Sequence, residues 1–316
     1  WQDHSPRPGG YAMVFHNGYL MRVSLPTPPT TRNPEMATTI TESFVRQYEA
    51  EVHHLFQRQG GYLRPAVRTK DNIVGSSTTF QKIGKGTATV KARHGVITPM
   101  NQDHTAVQCT LSDFYAGDWV DKLDETKVNH DERMAIALGG AWALGRKVDD
   151  QIITVLDTTT TTAVTWTFTS VHTVENSLLN TIRNLDAADV PNDGQRFVAL
   201  SPFAYSAAMK VPSFANSQYV RPDNQPFEQG QPIFTWRRWM NCLWTSHTGL
   251  PNVGSSGTKG FAWHRSAVGY ATGAHAGNAA QNQAVSADIT WHGDRAAHFV
   301  NHMMSGGAAL IEAAGV

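Results

Sequence analysis

From Asn129 to Asp157 the residues Met134, Ala137, Leu138, Ala141, Leu144, Val148, Ile152 and Val155 recur at intervals of three and four, the spacing of one helical face. The spacing predicts a single helix over about 130–157. At 1.5 Å per residue such a helix spans about 40 Å, long enough to run across a whole domain, so the other elements must be arranged around it as around a spine. Asp131 and Glu132 suit its positive N-terminal end, and the β-branched run Thr158–Thr162 is a poor continuation and ends it. Gly139, Gly140 and Gly145 each cost about 1 kcal/mol relative to alanine inside a helix, a cost that another backbone packing closely there would offset.

Upstream, Ser76–Ile83 and Thr87–Arg93 are Thr- and Val-bearing runs on either side of Gly84-Lys85-Gly86, a pattern that predicts a β-hairpin with a three-residue turn. From Gly75 to Gly95 there is no acidic residue, whereas Lys82, Lys85, Lys91 and Arg93 all fall there. The hairpin has no strong apolar face. A lone two-stranded hairpin is marginal in water, so an arm over 75–104 must lie against its own domain or another molecule, and the second is expected. Directly after it, Asp103, Asp113, Asp118, Asp121, Asp124, Glu125, Asp131 and Glu132 face only Lys122 and Lys127 along the chain. Such segregation is either a solvated face or a surface that meets the basic arm of another copy.

With 316 residues, 41% of them hydrophobic, the chain can bury a sizeable core in one large or two smaller domains. Its 26 basic and 26 acidic residues cancel, so no global excess advertises nucleic-acid binding, and only local patches can meet a polyanion. Cys109 and Cys242 are the only cysteines, which excludes a disulfide framework and a cysteine-based zinc site and fits synthesis in a reducing cytosol. No apolar run has the length of a membrane span or a signal-peptide core. Residues 1–35 hold six of the fifteen prolines and no amphipathic period; they read as an upstream or disordered leader, with Met36 as the natural start.

Thr39–Glu42 reads as a capping box opening a helix whose Phe44, Val45, Tyr48, Val52, Leu55 and Phe56 share a face up to Gly60-Gly61. A basic extended connector, Leu63–Asn72, follows. Beyond the long helix, a strand is expected over Val164–Phe168, a helix over Thr173–Ala187, a turn at Pro191-Asn192-Asp193-Gly194 and a strand over Arg196–Leu200. Ser201-Pro202 is an N-cap with proline at the first helical position. Strands are also expected over Ile233–Trp236, Trp239–Trp244, Phe261–Tyr270 and Ala287–Trp291. The order argues for an α+β fold with mixed sheets, since strands and helices do not alternate as a doubly wound nucleotide fold requires.

Asp294, His298 and His302 are spaced by four, which on a helix would bring them to one face in the manner of a metal site. His298-Phe299-Val300-Asn301-His302 lacks the glutamate of H-E-x-x-H, however, and with it the general base of a zinc hydrolase. Gly254–Gly260 superficially resembles a phosphate loop, but Thr258 between Gly257 and Lys259 breaks the register, so it reads as a surface loop. No nucleophile elbow is present and neither cysteine has a catalytic context. Five of the nine tryptophans lie between Trp236 and Trp291, as core anchors or, on a less common reading, as stacking platforms for a sugar or base. No catalytic residue, cofactor or metal site is predicted.

This succession of arm, hairpin, long helix and α/β unit resembles the major capsid proteins of tailed bacteriophages, the Hong Kong 97-like family. The segments that carry the resemblance are Thr105–Val155, Asp189–Pro202 and Phe261–Tyr270, within a likeness running from about Met36 to the end. It implies an N-arm over 36–74 and an extended loop over 75–104 that overlaps a neighbouring subunit. It also implies a peripheral domain over 105–160 plus 285–316, with the spine helix at about 130–157, and an axial domain over 161–284 around five-fold and six-fold axes. The implied function is a non-enzymatic, self-assembling icosahedral head shell around double-stranded DNA, bound without sequence specificity, in a virion made in the bacterial cytoplasm. The implied partners are other copies in hexamers and pentamers, a separate scaffolding protein, a portal and decoration proteins. Some relatives cross-link subunits through Lys and Asn; no catalytic Glu can be matched here, and no cross-link is assigned to Lys82 or Lys85. Three readings compete with a phage head. They are an encapsulin-like nanocompartment on the same fold, a cytosolic metal-dependent hydrolase using Asp294, His298 and His302, and a tryptophan-rich carbohydrate or receptor-binding module.

Overall fold

The computed structural model describes residues 57–58, 60–125, 127, 132–215, 236–252, 257–274 and 286–316, together with the backbone of 11–16 and 19–24; at 286–287 too the description is of backbone only. The expected N-terminal helix with its capping box lies outside the described residues, as does Met36. Two units are distinguished, Trp1–Tyr48 and Glu49–Val316. In the first, β1 (Tyr11–His16) and β2 (Tyr19–Ser24) pair antiparallel, from Tyr11 opposite Ser24 to His16 opposite Tyr19. The span read as a leader therefore contains a hairpin. Asn17-Gly18, between its strands, is a strong hairpin signal in sequence.

In the second unit a connector with a 3-10 turn at Arg64–Ala66 leads into β3 (Arg68–Ile73) and then into β4 (Ser77–Ile83). Strand β4 does not pair with Thr87–Arg93, as the sequence pattern predicts. It pairs antiparallel with β5 (His104–Thr110), from Ser77 opposite Thr110 to Ile83 opposite His104, and residues 84–103 form a long irregular loop at the tip. The reason is burial: Thr87–Arg93 is exposed throughout, while β5 places Val107 and Cys109 beside Phe80 and Thr78 on one inward face.

The chain continues through β6 (Ser112–Asp121) and the one-turn α1 (Lys122–Glu125) to α2, which runs from Glu132 to Leu156. The predicted spine is present. Only its second half is buried in its own chain, through Leu144, Val148, Ile152, Ile153 and Leu156. Ser170 caps α3 (Val171–Ala187) in a reciprocal capping box with Thr173. Then come β7 (Arg196–Leu200), α4 (Pro202–Ala208) capped by Ser201, and the one-turn α5 (Pro212–Ala215). The strands β8 (Arg237–Trp239), β9 (Cys242–Ser246) and β10 (Phe261–His264) complete a four-stranded sheet ordered β10-β7-β9-β8, in which β7 and β9 are parallel. The helices α3 and α4 cover it around Leu178, Ala208, Phe214, Trp239 and Trp244.

The expected strand over 261–270 is two strands. A 3-10 turn at Arg265–Ala267 breaks it and sends β11 (Val268–Gly273) into a different sheet. The expected strand at Val164–Phe168 is irregular chain. The second sheet is organised by the fourteen-residue β13 (Ala297–Leu310), which pairs antiparallel with β6, with β12 (Ser286–His292) and with β11; β3 then adds parallel to β11. Across this sheet lies α2. His302 is buried and sits where a β-carbon on Gly140 would be 2.6 Å from its ring, so the missing side chain at Gly140 lets the helix settle onto β13.

Candidate intersubunit arm

The arm, β4 and β5 with the loop between them, is anchored by Phe80. The ring is fully buried, and a β-carbon on Gly269 would stand 2.6 Å from it, so only glycine opposite leaves it room. Cys109, Ala271, Ala309 and Ile311 complete a small cluster, and the cations of Arg68 and Lys70 stand 5.7 and 5.1 Å from the ring centre. At the other strand Gly307 gives way to the carbonyl of Thr110, which an added β-carbon would meet at 2.1 Å. The base of the arm thus has a core after all, shared with its own body. Burial pushes the Cys109 thiol up from its ordinary range, which makes it a packing residue and a poor nucleophile.

Of the four basic residues assigned to the arm, two are engaged within the chain. Lys82 Nζ lies 2.5 Å from Glu312 Oε2, and Lys85 Nζ lies 2.7 Å from Asp189 Oδ2, reaching the turn that precedes β7. The hydrogen bond and charge of Asp189 hold the Lys85 ammonium above its usual range, and the reciprocal bond holds the Asp189 carboxyl below its own. Both groups of that pair are exposed, so it steers more than it stabilises. Lys91 and Arg93 are exposed and make no ion pair among the described residues. Beside them on the loop Val90, Val96, Ile97 and Met100 are 102%, 93%, 72% and 50% exposed. An anchored base thus carries a tip with apolar and basic side chains facing solvent.

The connector ahead of β3 is strapped to α2. Gly61 N donates to Gly145 O at 3.0 Å, and a β-carbon on Gly60 would stand 2.1 Å from the backbone of Arg146. This is the close backbone approach that the glycine in the helix requires. Arg58 reaches Asp150 at 2.7 Å, and Arg146 reaches Gln57 Oε1 at 2.7 Å. Beneath them Asp149, fully buried, accepts from the Leu63 amide at 3.0 Å through Oδ1 and lies 3.4 Å from His247 Nε2 through Oδ2. Gly249 N donates to His247 Nδ1, which places the ring proton on Nε2, facing the carboxylate. One aspartate therefore joins the connector, the spine and the loop after β9. Nothing in its sequence neighbourhood, Val148-Asp149-Asp150, separates it from its exposed neighbour except its place on the apolar face.

The structure separates the proposed metal ligands. Asp294 lies in a turn, and His298 and His302 are on β13, where four extended residues span about 13 Å, too far to share an ion. No cluster of three metal-ligating side chains occurs among the described residues. Lys259, from the loop compared with a phosphate site, is paired with Asp157 at 2.6 Å; residues 253–256 of that loop lie outside the described residues. Trp239, Trp244 and Trp263 are buried and Trp236 packs against the central core, as anchors would; Trp291 is half-exposed under Lys122.

The sequence profile of a family described as phage capsid protein matches residues 40–316. A search of curated proteins finds no match. Among solved structures, one from Mycobacterium phage Che8 superposes with a TM-score of 0.64 at 14% identity, covering 85% of this chain and 94% of its own. The capsid structure of the cyanophage P-SCSP1u gives 0.62 at 13% identity, covering 87% and 92%. The capsid of the native GTA particle gives 0.61 at 10% identity, covering 88% and 96%. At these identities the likeness to the solved structures is one of fold, the Hong Kong 97-like fold with its spine helix, peripheral sheet and extended arm. With a family profile matched over most of its length and that fold beneath it, the chain belongs to the phage capsid protein family.

Proposed function

We propose that copies of this chain assemble into an icosahedral head shell enclosing double-stranded DNA, with the arm over 75–104 of each copy overlapping its neighbour. Family membership makes the chain a major capsid protein of the phage head. The observation that carries the finer reading is the arm itself. A base locked by Phe80 against Gly269 projects a loop whose large apolar side chains are exposed and whose Lys91 and Arg93 make no ion pair among the described residues. In this reading 105–160 with 285–316 is the peripheral domain, 161–284 the axial domain around the symmetry axes, and the work of the protein is structural, without catalysis. Weak contacts repeated over a closed shell accumulate into a stable particle. A scaffolding protein, a portal, decoration proteins and synthesis in the host cytoplasm belong to the same reading. The family match favours a phage head over an encapsulin-like compartment.

The test is to express the chain with and without a candidate scaffold and to observe the product by negative-stain microscopy and light scattering. Closed shells are expected; monomers under both conditions would overturn the proposal.

A further inference from the structure

The sheet around β13 ends in two strands that are protected differently. At one end β3 carries Arg68, Lys70 and Asp71, and charges at this density keep an edge from pairing with another chain. At the other end β12 reads Ser286-Ala287-Asp288-Ile289-Thr290-Trp291-His292, with a single formal charge and neither lysine nor proline. It is paired with β13 along its whole length on one side, and on the other it meets no strand among the described residues. Ile289 and Trp291, on the face that carries Val300, are 51% and 47% exposed. On the opposite face Asp288 and Thr290 are exposed and His292 is held in place, its ring 5.0 Å from that of Trp119 and its Nε2 3.2 Å from Thr290 Oγ1.

An open edge of this kind is completed by an added strand, and a strand supplied by a second copy has to obey the symmetry of the pair. In the antiparallel arrangement that keeps each face of the sheet continuous, the two-fold axis is perpendicular to the sheet, so the register is centred on one residue lying opposite itself. Centring on Asp288 sets two carboxylates against each other. Centring on Trp291 runs Asp288 toward the turn that carries Asp294, and centring on Ile289 leaves Asp288 out of register with His292. Centring on Thr290 gives oppositions that are all favourable: threonine against threonine, Ile289 against the partner subunit's Trp291, and Asp288 against the partner subunit's His292, whose imidazole can donate to the carboxylate. These are the hydroxyl, aromatic with β-branched, and charge-complementary pairs that stabilise antiparallel strands.

We infer that β12 is an intersubunit edge at which the same strand of a second copy adds antiparallel, centred on Thr290, so that two five-stranded sheets become one across a two-fold axis. The inference rests on the reading that copies of this chain assemble, and it adds a contact separate from the arm. Single cysteines test it, because Cys109 and Cys242 are both buried and give little background. Pairing brings the two β-carbons at position 290 within about 4.5–5.5 Å of each other and leaves those at 288 about 13 Å or more apart. Assembled Thr290→Cys chains, oxidised or treated with a short bismaleimide, are therefore expected to run as linked dimers on a denaturing gel, and Asp288→Cys chains as monomers. Shells that form normally but give no 290–290 dimer with either reagent, or as much dimer from Asp288→Cys, would overturn the pairing and leave the shell reading standing. Parent chains that stay monomeric with and without a scaffold would overturn both. A charge swap reads the same contact without cysteine. Asp288→Lys and His292→Asp should each lower shell yield severalfold with an unchanged melting curve, and the two together should restore it; a double variant no better than the single ones counts against the register.

Discussion

At the scale of single residues, the largest effects are expected where a buried group has one partner shape. Phe80→Ala empties the pocket made by Gly269 and Cys109 and should lower stability by about 3–5 kcal/mol, read from urea denaturation of the unassembled chain. Asp149→Ala strips the acceptor from the Leu63 amide and from His247, leaving two buried donors. A loss of about 2–5 kcal/mol is expected, together with faster hydrogen exchange at Leu63. Asp71 gives the pH dependence. Burial opposes its charge, but hydrogen bonds from Thr272 at 2.6 Å and Arg64 at 2.7 Å hold its carboxyl below the ordinary value of 3.8. A depressed carboxylate stabilises the fold above its unfolded value and ceases to do so as pH falls through the folded one. Melting temperature should therefore drop below about pH 4 in the parent, and by less in Asp71→Asn.

At the scale of elements, deleting the tip, residues 85–102, should leave the base strands and the Phe80 anchor in place. Circular dichroism should stay near that of the parent while light scattering shows no assembly. A deletion that began at Ser77 would instead remove β4 and open the pocket around Cys109, unfolding the base along with the tip. How legible each element was follows from how local its cause is. The spine helix and the Ser201 cap are set by spacing and by neighbours a few residues away, and the sequence pattern predicts them within a few residues. The arm's pairing is not local: Thr87–Arg93 has the alternation of a strand but nothing to bury, and the partner of β4 lies past an irregular loop. The break at Arg265 is of the same kind, because its cause is that β10 and β11 have different sheets to join. His298 and His302 look alike on a helix and on a strand until the period is known. Asp149 and Asp150 differ only in which side of α2 they occupy, so of the two aspartates only the geometry could distinguish the hub from the surface ion pair.

At the scale of the whole molecule, net charge of zero means that a shell of these subunits need not rely on nucleic acid to neutralise it. Shell yield should be the same after nuclease treatment of the starting material, measured by light scattering with ultraviolet absorbance for residual DNA. A yield that collapsed would place the driving force in the polyanion and not between subunits. The same balance fits interior DNA held by local basic patches without sequence readout.

Strand β13 has a bearing on the order in which the chain can acquire its structure as it is made. It is the common partner of β6, β11 and β12, and it follows all three in sequence. Until residues 297–310 have left the ribosome, β6 has waited with its inner face uncovered while more than half of the chain was synthesised behind it. The four-stranded sheet is complete once His264 has emerged. The four-stranded sheet can therefore form during translation and the sheet around β13 only near its close, a delay in which the face of α2 that packs on β13 is left exposed.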